Sequence, residues 1–137
     1  GCDMNRIVFR PAVDGVDYFK AISKIDIMLD AYPYVGGTTN LDALYMGVPV
    51  VSLYGERHGS RFGLSILKNI GLEGLAVNSY DDYVERAVAL ANDWDLLKIL
   101  RQNLRGMMKK SPLMDSENYI REVEAAFIKI LREASHE

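Results

Sequence analysis

Two glycines run into two threonines at Gly36-Gly37-Thr38-Thr39, and the threonines open an apolar pattern with helical spacing. Residues of these types at this spacing can hold a phosphate. Glycines permit positive φ and close backbone approach, and the first turn of a helix offers unpaired N–H groups at its positive end. Threonine hydroxyls add further donors. The alternative is a plain strand-to-helix turn in which Thr38 is the N-cap. The loop is not a Walker motif, because no Gly-Lys-Ser/Thr follows, and it is not a G-x-G-x-x-G fingerprint. Asp42 lies one turn beyond Thr38 and Thr39 and shares their helix face. A carboxylate there can accept hydrogen bonds from ribose hydroxyls, or it can simply be an acid favoured by the helix dipole.

A second polar group crowds Glu56, Arg57, His58, Ser60 and Arg61. Arg61 can neutralise a phosphate or pair with a carboxylate, and Ser60 is placed to cap the next helix. His58 reads as a surface residue. Tyr32 and Tyr34 could flank a sugar or pack under their own loop. Tyr18 could stack on a nucleobase or serve as a half-buried helix aromatic. Arg101, Arg105, Lys109 and Lys110 read as a solvated helix face, and His136 as a tail residue. No Ser-His-Asp order, carboxylate pair or metal-ligand cluster emerges. The sequence thus offers a binding edge without an evident catalytic base.

The elements that must position these residues follow from pattern. Arg6-Ile7-Val8-Phe9 is short, apolar and β-branched, and Pro11 ends it, which predicts a buried strand. Residues 16–25 carry apolar side chains at helical spacing. Residues 27–30 form a second strand ending on an acid. A helix over residues 38–46 is stopped by Gly47 and Pro49, and residues 49–53 form a third strand. A polar loop over 54–60 leads to a helix over 61–69 closed by Gly71, then a fourth strand over 74–77. The rest is helical: N-caps at residues 78–82 open a helix to about 92, a second runs from Asp93 to about 110, and Ser111-Pro112 breaks it. Asp115 or Ser116 caps a last helix ending near 134. Strands alternating with helices predict a parallel α/β sheet with right-handed crossovers and a helical tail packed beside it. Such sheets bind ligands beyond the carboxyl ends of their strands, where the glycine loop and the 56–61 loop both fall.

Composition bounds the reading. The 137 residues are 49% hydrophobic and 26% charged, an ordinary globular balance for one domain. A chain of this size buries roughly two-thirds of its unfolded surface. A net charge of −3 and a pI near 5.4 argue against a basic nucleic-acid footprint. No apolar run reaches the roughly 20 residues of a membrane span, and the start has no secretory pattern. A lone cysteine, Cys2, excludes an internal disulfide and a cysteine zinc site, so a cytoplasmic setting is expected. The Gly1-Cys2 start, without a methionine, suggests a cut fragment or tag remnant.

Residues 5–131 resemble the C-terminal part of a GT-B glycosyltransferase of the O-linked N-acetylglucosamine transferase and SPINDLY-like group, glycosyltransferase family 41. The matching words are Asn5-Arg6-Ile7-Val8-Phe9, Leu29-Asp30-Ala31-Tyr32-Pro33-Tyr34, Gly37-Thr38-Thr39, Asp42-Ala43-Leu44-Tyr45-Met46-Gly47-Val48-Pro49-Val50-Val51, Gly55-Glu56-Arg57-His58, Ser60-Arg61 and Ser111-Pro112-Leu113.

The resemblance implies a Rossmann-like, partial C-terminal domain of 137 residues: an α/β nucleotide-binding core over 5–77 and helices over 78–137. It implies transfer of a sugar from a nucleotide donor to protein Ser or Thr hydroxyls, with inversion and without metal or cofactor, in enzymes usually fused to tetratricopeptide repeats. Gly37, Thr38 and Thr39 match the donor-diphosphate loop, and Asp42 the ribose-binding acid. Residues 10–13, ending on Val13, match the loop whose backbone meets the base. Tyr18 falls at a base-stacking position, and Arg61 matches a stretch facing the cleft.

Three departures leave the donor open. Gly37 stands where O-GlcNAc enzymes carry histidine, Tyr18 also replaces a histidine, and Ala21 replaces a basic residue. UDP-N-acetylglucosamine is the first candidate donor and GDP-fucose the second. The family's phosphate-binding lysine, acceptor contacts and base fall outside these residues. The isolated chain is therefore expected to be inactive, with an open sheet edge. The rival readings are another GT-B activity, such as a sugar epimerase or lipid-linked transferase, and a degenerate nucleotide-binding or interaction module.

Overall fold

The computed structural model describes residues 3–135. The expectations for Gly1-Cys2 and His136 lie outside the described residues. Three strands, β1 (Met28–Leu29), β2 (Val50–Leu53) and β3 (Ala76–Val77), form a parallel sheet in the order β1-β2-β3. Met28 pairs with Val50 and Leu29 with Val51, while Ser52 pairs with Ala76 and Leu53 with Val77. Every residue of β2 is buried, as expected for a central parallel strand covered on both faces. The parallel α/β reading therefore holds.

Six helices complete the chain: α1 (Gly15–Ile22), α2 (Thr38–Tyr45), α3 (Phe62–Asn69), α4 (Tyr80–Asn92), α5 (Trp94–Lys110) and α6 (Ser116–Ala134). Helices α2, α3 and α4 contact β2, and α5 packs against α2 and α4. The core joins Ala43 and Leu44 of α2, Val50 and Val51 of β2, Ile66 and Leu67 of α3, and Leu97, Leu100, Leu104 and Met108 of α5. Those four α5 residues recur at helical spacing, so one stripe of the helix faces inward.

Helix ends follow local chemistry. The side chains of Ser79, Asp93 and Asp115 accept hydrogen bonds from the N–H groups of Asp82, Leu96 and Asn118, as N-caps do. Helix α2 ends in a Schellman motif: Gly47 N–H donates to Leu44 O at 3.1 Å and Val48 N–H to Ala43 O at 2.8 Å, with Gly47 at φ +83°. A Cβ on Gly47 would also lie 2.7 Å from the Arg101 carbonyl oxygen of α5. Glycine is thus required there for both conformation and packing.

Four expectations are corrected. Residues 6–9 are not a buried strand: a 3-10 turn spans Met4–Arg6, and Phe9 is 83% exposed. The run is apolar, but it pairs with neither edge of the sheet, and β-propensity without a partner strand makes no strand. The helical tail packs only in part, since no residue of α6 is buried. Ser60 does not cap α3; its hydroxyl donates to Arg57 O and accepts from Gly55 N–H. Arg101 and Arg105 are more than a solvated face. Arg101 donates to the carbonyls of Ser23 and Ile25 beyond α1 and pairs with Asp26 at 3.7 Å. Arg105 donates to Tyr45 O at 2.9 Å and stacks over the Tyr45 ring at 4.8 Å. Arg105 thus meets a carbonyl of the last turn of α2, where the dipole is negative, and Arg101 meets carbonyls just past the end of α1.

Candidate functional site

The three strands run in one direction, so Asp30, Tyr54 and Asn78 emerge at one edge of the sheet. Asp30 organises that edge. It is buried, and its carboxyl oxygens accept from Gly36 N–H at 2.7 Å, Asn40 Nδ2 at 2.8 Å and Ser52 Oγ at 2.7 Å. Asn40 Nδ2 also donates to Gly36 O at 2.7 Å, and the Tyr83 hydroxyl of α4 donates to Asp30 O at 2.9 Å. Burial, followed by the nearby Asp30 charge, raises the Tyr83 pKa above its usual 10.0. A buried polar group is tolerated only when its hydrogen bonds are made. This one uses them to tie the strand end to the glycine loop, to α2 and to β2.

The loop that Asp30 holds borders a groove of about 620 Å³, lined by Gly36, Gly37, Thr38 and Thr39 with Tyr34 and Phe62 at its sides. Gly37 is the N-cap residue of α2 and no side chain caps that helix end, so Thr38 is not the cap. The Thr38 and Thr39 side chains are exposed. The first-turn N–H groups therefore open on the groove beside two hydroxyls.

The glycine pair works differently from the positive-φ expectation, because neither residue has positive φ. Gly36 is needed for packing, since a Cβ there would lie 2.7 Å from Asn40 Oδ1. A Cβ on Gly37 would meet nothing within 4 Å, so that position faces open space.

Asp42 follows one turn along α2, half-buried. Its Oδ2 accepts a hydrogen bond from the Tyr18 hydroxyl of α1 at 3.0 Å. The Tyr18 ring packs edge-to-face on Phe19 with centroids 5.1 Å apart. Burial, the hydrogen bond to Asp42 and the charge of Asp42 raise the Tyr18 pKa, with the Thr39 hydroxyl pulling the other way. The phenol therefore stays a protonated donor through the neutral range. Gly37, Thr38 and Thr39 thus line the groove, while Asp42 of α2 and Tyr18 of α1 sit beside it, joined to each other and not part of its lining.

Val13 and Arg61 are not part of the lining either. Val13 is exposed on the extended stretch ahead of α1 and lines no part of the groove. Arg61 folds back on its own loop, donating to Gly55 O at 3.1 Å with its guanidinium 5.7 Å from the Tyr54 ring centre. His58 is exposed and packs edge-to-face on Phe62.

Sequence reading missed Asp30, Asn40 and Ser52 as a set, and it missed the Tyr18–Asp42 bond. One signal was present: an acid closes the apolar run that becomes β1. Nothing local marks its partners.

Residues 1–123 match the model of "Glycosyl transferase family 41". A probable UDP-N-acetylglucosamine–peptide N-acetylglucosaminyltransferase SPINDLY of Solanum lycopersicum is 45% identical over 111 residues, covering 81% of this chain and 12% of that protein. The SEC protein of Arabidopsis thaliana, described by the same probable activity, is 30% identical over 131 residues, covering 95% of this chain and 13% of its own length. In structure, a mutant O-GlcNAc transferase of Thermobaculum terrenum matches with a TM-score of 0.82 at 34% identity, over 89% of this chain and 24% of that one. The chain spans about one eighth of the length of these two curated relatives. It belongs to glycosyl transferase family 41.

Proposed function

We propose that residues 36–42 bind the nucleotide diphosphate of a sugar donor, within an inverting transferase that glycosylates protein hydroxyls. The observation that carries this is the uncapped N-terminus of α2, opening on a groove beside Thr38 and Thr39, with the Asp42 carboxyl one turn further on. Family membership and the names of the relatives support the reaction class. UDP-N-acetylglucosamine is the proposed donor and GDP-fucose the second candidate.

The chemistry follows from charge. As the bond from sugar to diphosphate breaks, negative charge grows on the leaving phosphate. In this reading the first-turn N–H groups and the two threonine hydroxyls meet that charge from a helix end that is already formed, so little reorganisation is needed. Asp42 is assigned to ribose, and Tyr18 and the Val13 backbone are assigned to the base by the family resemblance. Arg61 belongs to the cleft wall through its loop. The donor is a substrate, and the proposal needs no metal or other cofactor. Acceptor binding and the base are assigned to parts of the protein beyond these residues, including any helical repeats. A cytoplasmic location completes the reading. Among the described residues, no helix is long and apolar enough to cross a membrane.

The test is Thr39→Ala in the full-length protein. Loss of one preorganised donor to a developing oxyanion costs on the order of 10²-fold in turnover. An unchanged kcat would overturn the leaving-group role.

A further inference from the structure

We propose that Tyr18 is a positioning residue for Asp42: its hydroxyl holds Oδ2 and so presents Oδ1 to a ribose hydroxyl. This rests on the ribose role assigned to Asp42 above. A half-exposed aspartate on a helix turns freely between rotamers, and its terminal torsion is especially soft. Asp42 is restrained instead by a donor from another helix, 24 residues away in sequence, at 3.0 Å. That donor is itself held, because the Tyr18 ring packs on Phe19 and against the core cluster. The bond therefore joins α1 to α2 beside the threonines, and no donor among the described residues is bonded to Oδ1 of Asp42.

Two consequences follow for recognition. The free carboxyl oxygen accepts only from a donor, so it favours a ribose hydroxyl and disfavours a phosphate oxygen. The pair thus fixes which part of the nucleotide lies beside α2, with the sugar toward Asp42 and the phosphates toward Thr38 and Thr39. In addition, the Tyr18 hydroxyl does specific work that ring stacking does not explain. A phenylalanine would stack on a base equally well, but it would release Asp42.

The experiment measures binding of UDP, GDP and their 2′-deoxy and 3′-deoxy forms to the full-length protein by calorimetry. Wild type, Tyr18→Phe and Asp42→Ala are compared. A hydroxyl donating to a charged acceptor is worth roughly tenfold or more in affinity. Wild type should therefore prefer at least one ribonucleotide over a deoxy form by about that factor. Asp42→Ala should abolish the preference, and Tyr18→Phe should reduce it to about threefold or less.

A preference that survives in Tyr18→Phe but is lost in Asp42→Ala overturns the positioning role and leaves the ribose role standing. Equal weakening of ribo and deoxy forms in Tyr18→Phe also overturns it, since that is loss of packing alone. A preference that survives in Asp42→Ala, or is missing from wild type, overturns the ribose reading and this proposal with it. Wild type that binds neither nucleotide does the same.

Discussion

The Asp30 hub and helix α6 solve opposite problems. Around Asp30, buried polar atoms are packed closely and each has its partner: Gly36, Asn40 and Ser52 all donate to one carboxyl group. No buried side-chain nitrogen or oxygen among the described residues lacks a hydrogen bond. Helix α6 has apolar surface in plenty, and every one of its residues but the half-buried Val123 is exposed. Tyr119, Ile120, Phe127, Ile130 and Leu131 are all exposed, although they share one helical stripe by spacing. The contrast teaches that the two faces of a fold are specified by different means. The groove edge is fixed by directional bonds that tolerate almost no change of shape, whereas α6 is held by its own backbone and caps. Substitutions of equal size should therefore have very unequal effects.

The largest effect should come from one methyl group. A Cβ on Gly63 would sit 2.1 Å from Ser52 Oγ, 2.7 Å from Ser52 Cβ and 2.8 Å from Asp30 Oδ2. Ser52 is fully buried on β2 and has little room to retreat. Gly63→Ala must therefore displace Ser52, and with it the bond to Asp30. Overpacking plus a lost hydrogen bond predicts a cost of about 3 kcal/mol or more. In urea the unfolding midpoint should fall sharply with little change in slope. A near-normal midpoint would show that the hub is softer than its geometry.

Asp30→Asn is a gentler way to test the same region, since the shape is kept. The carboxyl group offers two acceptor oxygens to three donors, whereas an amide offers one acceptor and brings two donors of its own. If the amide oxygen faces Gly36 N–H, the amide nitrogen faces Asn40 Nδ2. Ser52 can rotate its hydroxyl to accept, but Asn40 cannot turn over without losing its bond to Gly36 O. One buried donor stays unpaired in either orientation, at about 1–3 kcal/mol. The glycine loop should also open, which amide hydrogen exchange at Gly36 would detect as faster exchange. Unchanged exchange would mean that Asn40 alone holds the loop.

Much of this molecule is legible from local rules, and the hub is not. Buried β2 announces itself as a β-branched run. Gly47 and Gly71 mark helix ends, and Ser79, Asp93 and Asp115 act as caps at or beside the expected positions, because each of those effects is decided within a few residues. The strand expected over residues 6–9 fails for the complementary reason: a strand is a relation between two segments, and the sequence of one cannot state it. Arg101 and Arg105 look like ordinary solvated cations until α1 and α2 bring unpaired carbonyls to them from 60 residues or more away. The Tyr18–Asp42 bond and the Asp30–Ser52 bond belong to the same class. Part of the site is visible as Gly37, Thr38, Thr39 and Asp42 because those residues share one loop and one helix face. What orients them comes from elsewhere in the chain.

Helix α6 supplies the smallest expected effect and the sharpest control. Phe127 is 63% exposed, so Phe127→Ser removes apolar surface that folding scarcely covers. A surface change of this kind stays within about 0.5 kcal/mol. By contrast, Leu104→Ala on α5 empties a site with no exposure and should cost about 2–5 kcal/mol. The two substitutions separate an apolar stripe that builds the core from one that only looks as though it should. If Phe127→Ser in the 137-residue chain instead costs more than about 2 kcal/mol at a concentration where the chain is monomeric, then α6 is folded against the body in solution. An equal cost that grows with protein concentration would mean that the stripe is covered by a second copy, because only association makes apparent stability depend on concentration. The expected outcome is neither. The unfolding midpoint should stay in place, so that of the two apolar stripes, α5 carries stability and α6 does not.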